Sequence, residues 1–274
     1  MRWGTFSPLF VWLFTSNYKH GTATGSVDRV VLSLTTMPHR ISQIEPTLRS
    51  LNAQKWAPDA IYLNVPKVNR RTAEPYTIPA WVGKYATVHQ TNDYGPATKL
   101  FGALEVEKDP NTIIITVDDD KLYPSTLVGA LASKFRYGDR VAYGACGWSM
   151  MPVPTEREVV PVYVPHMLRG SHGRVIDVLQ AVCGNAYRRG YFKDSVESMT
   201  VPRGSPCYTT DDIFISYYLK HVGVKCVLIP DAKKIEPLAR KMAKGDTPKS
   251  LSSYNLAAMS DKKCRAYMRR HYPA

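Results

Sequence analysis

Between residues 29 and 146 the hydrophobic pattern keeps switching between the period of a strand and that of a helix. RVVLSLTTMP (29–38), AIYLNVP (60–66), YATVHQT (85–91), TIIITV (112–117) and RVAYGAC (140–146) are short β-branched runs. Between them, ISQIEPTLRSLNAQ (41–54) sets Ile41, Ile44, Leu48 and Leu51 at helical spacing; ATKLFGALEVE (97–107) and STLVGALASKF (125–135) also read as helices. Strands apolar on both faces and separated by helices require right-handed crossovers and a largely parallel sheet. The chain is therefore expected to be an α/β protein with a doubly wound, mostly parallel sheet. Such sheets take ligands beyond the carboxyl ends of their strands. Both TTMPHR (35–40) and DDD (118–120) fall at such ends.

After Gly147 the texture changes to a proline-rich stretch with little periodicity, expected to be loop with short strands. Helical character returns at TDDIFISYYLKHVG (210–223), followed by the strand VKCVLIP (224–230) and a basic helix, SDKKCRAYMRRHY (260–272). With 274 residues, 44% of them hydrophobic, residues 29–274 can bury one core, with 29–150 and 151–274 as its halves. Residues 1–28 form an aromatic N-terminal segment whose longest apolar run is Leu9 to Phe14, far short of the about 20 residues of a spanning helix. It reads as a segment packed on the domain or as an interfacial anchor. Five cysteines (Cys146, Cys183, Cys207, Cys226 and Cys264), odd in number and without C-x-x-C spacing, argue against a disulfide framework and a zinc site. They lead to the expectation of a reducing, cytoplasmic location, with Cys226 as a small core residue. A net charge of +13 favours a polyanionic partner (nucleic acid, anionic lipid or a phosphorylated small molecule) or is a dispersed solubilising surface.

Asp118, Asp119 and Asp120 follow the apolar run IIITV directly. Adjacent carboxylates repel one another and are costly to desolvate without a cation. Alternation along a strand sends Asp118 and Asp120 to one side and Asp119 elsewhere. Two converging carboxylates make a hard-oxygen site suited to Mn²⁺ or Mg²⁺, which keep waters and are completed by phosphates. The plainer reading, a cap on the helix beginning near Ser125, needs only one of them.

TVDDD after an apolar strand resembles the D-x-D motif of the GT-A glycosyltransferases, which use nucleotide-sugar donors. VVLSLTTMPHRI, YGPATKLFGAL, IIITVDDDKLYP, CGNAYRRGYF and TDDIFISYYL occur in the order and approximate spacing of an inverting branch of that family, one similar to glycosyltransferases encoded by large algal viruses. The match runs from about residue 29 to 230; where the family carries YPP, this chain has YRR (187–189). The resemblance implies a GT-A, Rossmann-like fold in which 29–150 binds the nucleotide sugar and 151–274 the acceptor. It implies that Thr35, Thr36, Pro38 and Arg40 line the nucleotide pocket, and that Lys99, in the first turn of a helix, meets the diphosphate or sugar hydroxyls. Asp93 would also contact the nucleotide. Asp120 would bind the metal directly, Asp118 the ribose or a metal-bound water, and Asp119 the donor sugar or metal. Gly184 would let the backbone approach the donor sugar, and Asn185 would bond a hydroxyl. Asp212 would be the general base of an inverting displacement, with Asp211 beside it binding the acceptor or capping the helix.

Several of these residues have plainer readings. Arg40 and Lys99 also read as solvated surface cations, Thr209, Thr210 or either Asp as an N-cap, and Trp148 as a core residue or a sugar-stacking aromatic. His166 and His172 read as solvated loop residues or diphosphate contacts. The expected activity is metal-dependent transfer from a UDP-sugar, UDP-xylose as a guess, to a glycan hydroxyl. The competing class is a metal-dependent nucleotidyltransferase or nuclease. The basic residues lack an aromatic-interleaved stripe, so no nucleic-acid partner is expected. ARKMAKGD (239–246) and the basic C-terminal helix are open to peripheral membrane contact. The sequence leaves oligomeric state open.

Overall fold

The computed structural model describes residues 28–152, 159–163, 173–193, 204–230, 238–239, 255 and 259–272. Residues 1–27, His166, His172 and residues 240–246 lie outside them. Eight strands form the central sheet: β1 (Val30–Leu34), β2 (Ala60–Val65), β3 (Thr87–Gln90), β4 (Ile113–Thr116), β5 (Val141–Gly144), β6 (Arg174–Ile176), β7 (Asn185–Arg188) and β8 (Lys225–Leu228). Their spatial order is β3-β2-β1-β4-β7-β5-β8-β6. The first four run parallel, with Val30 opposite Ile113 and Val31 opposite Ala60. β7 is antiparallel to both β4 and β5, so β5 and its parallel neighbour β8 share the direction of β4. β6 closes the edge antiparallel to β8. The sheet is thus mostly parallel, as expected, and it draws strands from both halves of the chain.

β1 and β4 are buried along their whole length, which is why Val, Leu and Ile fill them without alternation. Helix α1 (Glu45–Asn52) buries Leu48 and Leu51 and leaves Arg49 in an i,i+4 pair with Glu45. Helix α2 (Thr98–Val106) packs on β1, β2 and β4. Helix α3 (Leu127–Ala132) lies against β7. Helix α4 (Asp211–His221) packs on β8 and on helix α5 (Ser260–His271). α5 buries Cys264 and Met268 and exposes Lys262, Lys263, Arg269 and Arg270. The strands Gly147–Pro152 and Val159–Tyr163 form a hairpin that pairs with Val178–Leu179. Among the described residues no helix is long and apolar enough to cross a membrane.

Two expectations are corrected. Cys146 is bonded to Cys183 and Cys207 to Cys264, leaving Cys226 as the buried free thiol. The partners stand 37 and 57 residues apart, and only the folded path brings them together. Spacing along the chain therefore says nothing of either pair, and the ground for expecting a reducing compartment is withdrawn. The segment NAYR, whose Asn185 was expected to bond a donor hydroxyl, is the strand inserted between β4 and β5.

Candidate active site

A cavity of about 880 Å³ opens across the edge where the parallel strands end. β1 runs out into Thr35, Thr36 and Arg40, β2 into Asn69 and Arg71, β3 into Asp93, and β4 into the acidic triplet; all of these line it. β7 runs the other way, so the residues before it, Gln180 and Val182, reach the same edge. The N-terminus of α4 contributes Asp211 and Asp212.

The three carboxylates have different environments. Asp119 is buried; its oxygens take Arg40 Nη2 at 2.7 Å and Thr36 Oγ1 at 2.5 Å. Burial pushes its carboxyl up to about 6 against the pull of Arg40. The side chains of Asp118 and Asp120 are 32% and 35% exposed. Asp118 Oδ1 meets Lys99 Nζ at 2.8 Å, and Asp120 is approached by Arg40 at 3.2 Å and Lys121 at 3.3 Å. None of the three caps helix α3, which begins at Leu127 with Thr126 in its N-cap position and no side-chain cap bond.

Lys99 is buried between Asp118 and Asp211, 3.1 Å from the latter's Oδ2. Burial alone would lower its pKa, but Asp118, Asp211 and Asp212 outweigh it and hold the ammonium well above its usual range. Lys99 is therefore the internal counter-charge that joins the two acidic groups, rather than a cation open to a diphosphate. Its position is fixed from behind: Asn64 Nδ2 donates to Ser33 Oγ at 2.7 Å, and Ser33 Oγ donates to the Lys99 carbonyl.

Asp212 accepts the Ala181 N–H at 3.1 Å. Burial and the neighbouring Asp211 push its carboxyl up to about 8. Thr210 holds the N-cap position of α4, but its hydroxyl makes no cap bond, so the capping reading of this motif is not what the side chains do. Asp93 accepts Arg70 N at 2.6 Å, Gly95 N at 2.8 Å and Tyr208 Oη at 2.9 Å, which fixes the turn before α2.

Pro38, Gly184 and Asn185 do not line the cavity. Pro38 opens a short 3₁₀ turn that carries Arg40 inward. Gly184 has φ of 87°, and a Cβ there would stand 2.9 Å from Leu127 Cδ1, so its glycine serves the contact with α3 rather than a ligand. Asn185 is buried, and with its amide oriented to suit its neighbours it donates to the Gln180 and Gly184 carbonyls. Trp148 does line the cavity. Asn69, Arg71 and Tyr76, which also line it, follow β2, and the strand-end rule alone would have singled out that loop. Asn255 and Asp261 carried no comparable signal. Among the described residues no three His, Cys, Asp or Glu side chains converge as a metal cage. Asp118 and Asp120 fit an ion that takes one or two carboxylates and draws its other ligands from phosphate and water.

No family model matches the sequence, and no curated protein matches it. Among solved structures the chain is similar to a crystal structure of S. aureus TarS 1–349 in complex with UDP-GlcNAc, with 15% identity and a TM-score of 0.51 over 86% of this chain and 66% of that one. A second crystal structure of S. aureus TarS 1–349 matches at 14% identity and a TM-score of 0.46, over 74% of this chain and 58% of that one. The chain thus spans slightly under two thirds of the first and less of the second. At this identity the first likeness shows a common α/β fold with a mostly parallel sheet, and the fold alone.

Proposed function

We propose that the protein is a glycosyltransferase that moves a sugar from a UDP-sugar to a glycan hydroxyl, with inversion at the anomeric carbon. One observation carries this reading: two acidic groups from distant stretches of sequence, Asp118–Asp120 and Asp211–Asp212, share one strand-end cavity and one buried cation, Lys99. Asp118 and Asp120 are the residues that would hold Mn²⁺ or Mg²⁺. Bound there, the ion would stabilise negative charge on the departing nucleoside diphosphate. Arg40 and Lys121, already at Asp120, supply further positive charge at the same place. Asp212 takes the proton from the acceptor hydroxyl as that oxygen attacks; the attacking side needs a base, and its raised pKa suits it to the task. Asp211, held by Lys99, positions the acceptor end.

The uridine nucleotide draws support from the UDP-GlcNAc named for the similar TarS structure. Xylose as the donor sugar rests on sequence resemblance alone, so both sugars belong in the test. Incubation with a panel of nucleotide sugars and Mn²⁺, in the presence of glycan acceptors, should release nucleoside diphosphate from at least one UDP-sugar, and EDTA should stop it. Hydrolysis of nucleic acid with no release from any nucleotide sugar would replace this reading with that of a metal-dependent nuclease.

A further inference from the structure

Tyr123 ends the short segment that follows the acidic triplet, and it is buried. It does not line the cavity, yet its hydroxyl touches the supports of both acidic groups. The Asp118 N–H donates to Tyr123 Oη at 2.8 Å, and that hydroxyl donates in turn to the Val182 carbonyl at 3.2 Å. Val182 sits in the 3₁₀ turn Ala181–Cys183, and the N–H of the neighbouring Ala181 is the one that Asp212 accepts. One phenol thus joins Asp118 to the turn that holds Asp212, across 59 residues of chain between Tyr123 and Val182.

Both ends of this link are anchored. Ser50 Oγ accepts the Tyr123 N–H at 3.1 Å and donates to the Thr47 carbonyl, while Thr47 Oγ1 donates to the Asp119 carbonyl at 2.9 Å. Helix α1 therefore fixes the triplet's backbone and the residue that reaches across from it. On the other side, Cys183 at the end of the turn is bonded to Cys146. A phenylalanine would fill the same core space as Tyr123; the hydroxyl is needed only for its two partners.

We propose that Tyr123 is a positioning residue: through Asp118 N and Val182 O its hydroxyl sets the spacing between the carboxylates that would hold the ion and the carboxylate that takes the proton. The chemical consequence rests on the glycosyltransferase reading; the mechanical link does not. Displacing a reacting group by about 1 Å costs on the order of 10²-fold in rate, so two groups carried by distant elements need a rigid tie.

The test uses the full chain and Tyr123→Phe, which keeps the ring. Hydrogen-exchange NMR should show the Asp118 and Ala181 amides exchanging about tenfold faster in the variant, with Val31 in β1 and Ile115 in β4 unchanged. The Ala181 amide is the decisive one, because it makes no bond to Tyr123 and loosens only if the turn does. With the UDP-sugar that the native chain turns over in Mn²⁺, Tyr123→Phe should lower kcat about tenfold or more, and by a much smaller factor when added to Asp212→Asn. An unchanged Ala181 amide would overturn the proposal. So would core amides loosened as much as Ala181, which would make Tyr123 a general core residue, or an equal loss of kcat in both backgrounds. A loosened Ala181 amide in a chain that turns over no nucleotide sugar would uphold the link and sink the glycosyltransferase reading.

Discussion

Burial and the adjacent Asp211 push the Asp212 carboxyl up to about 8, although Lys99 and the Ala181 N–H both favour its charged form. A base works only when deprotonated, so kcat/KM should climb as pH rises through about 8, with Asp211, Lys99 and Asp118 the charges that set the midpoint. Asp212→Asn should erase that limb and lower kcat by roughly 10²–10⁴-fold while leaving UDP affinity intact. The same shift has a stability consequence. Between the ordinary value of 3.8 and about 8 the folded chain keeps a proton that the unfolded chain has released, so this group's contribution falls as pH rises. Thermal unfolding of Asp212→Asn should therefore show a gain in Tm over the native chain that is largest at pH 8 and above and vanishes near pH 4. The place of the acidic triplet was legible in sequence, because it ends an apolar strand; that Asp211 and Asp212 meet it was implied only by the family resemblance, since they open a helix and the strand-end rule does not reach them. The state of Lys99 was not: first-turn placement said that it lay near the site, but not that Asp118 and Asp211 enclose it.

Helix α2 carries Lys99 to the site, and its close approach to β2 depends on Gly102, where a Cβ would fall 2.4 Å from the Asn64 side chain. Gly102→Ala should cost about 1–3 kcal/mol in urea unfolding and displace the Asn64–Ser33–Lys99 chain of hydrogen bonds behind the active centre. Lys99→Met leaves Asp118 and Asp211 without their shared counter-charge, and the expected loss is about 3–5 kcal/mol. The double variant Lys99→Met/Asp211→Asn should recover part of it, measured by the same unfolding experiment. Helices and parallel strands were readable because their periodicities differ and their runs are long enough to show one. β7 was not, because its four residues, NAYR, bring charged Arg188 into the sheet, where Asp28 receives it at 3.0 Å. That pairing spans the molecule and leaves no local trace.

At the scale of the whole chain the two disulfides close loops of 37 and 57 residues, and chain-entropy reasoning assigns each roughly 4 kcal/mol. Reduction should lower the urea midpoint. Thiol titration should find one reactive thiol, Cys226, in the denatured unreduced chain and five after reduction; more than one before reduction would contradict the pairing. No spacing rule would have found these bridges, since their ends meet only after β5, β7 and α4 are in place. They tie the C-terminal helix and the strand after β5 into a cavity that residues 35–121 also line. The central claim is that this cavity grips a nucleoside diphosphate through an ion held by Asp118 and Asp120. Calorimetric titration of UDP into the native chain and into Asp120→Ala, each in Mn²⁺ and in EDTA, tests it most directly. The native chain should bind UDP in Mn²⁺, and that binding should be lost in EDTA and lost in Asp120→Ala. Equal affinity under all four conditions would contradict it.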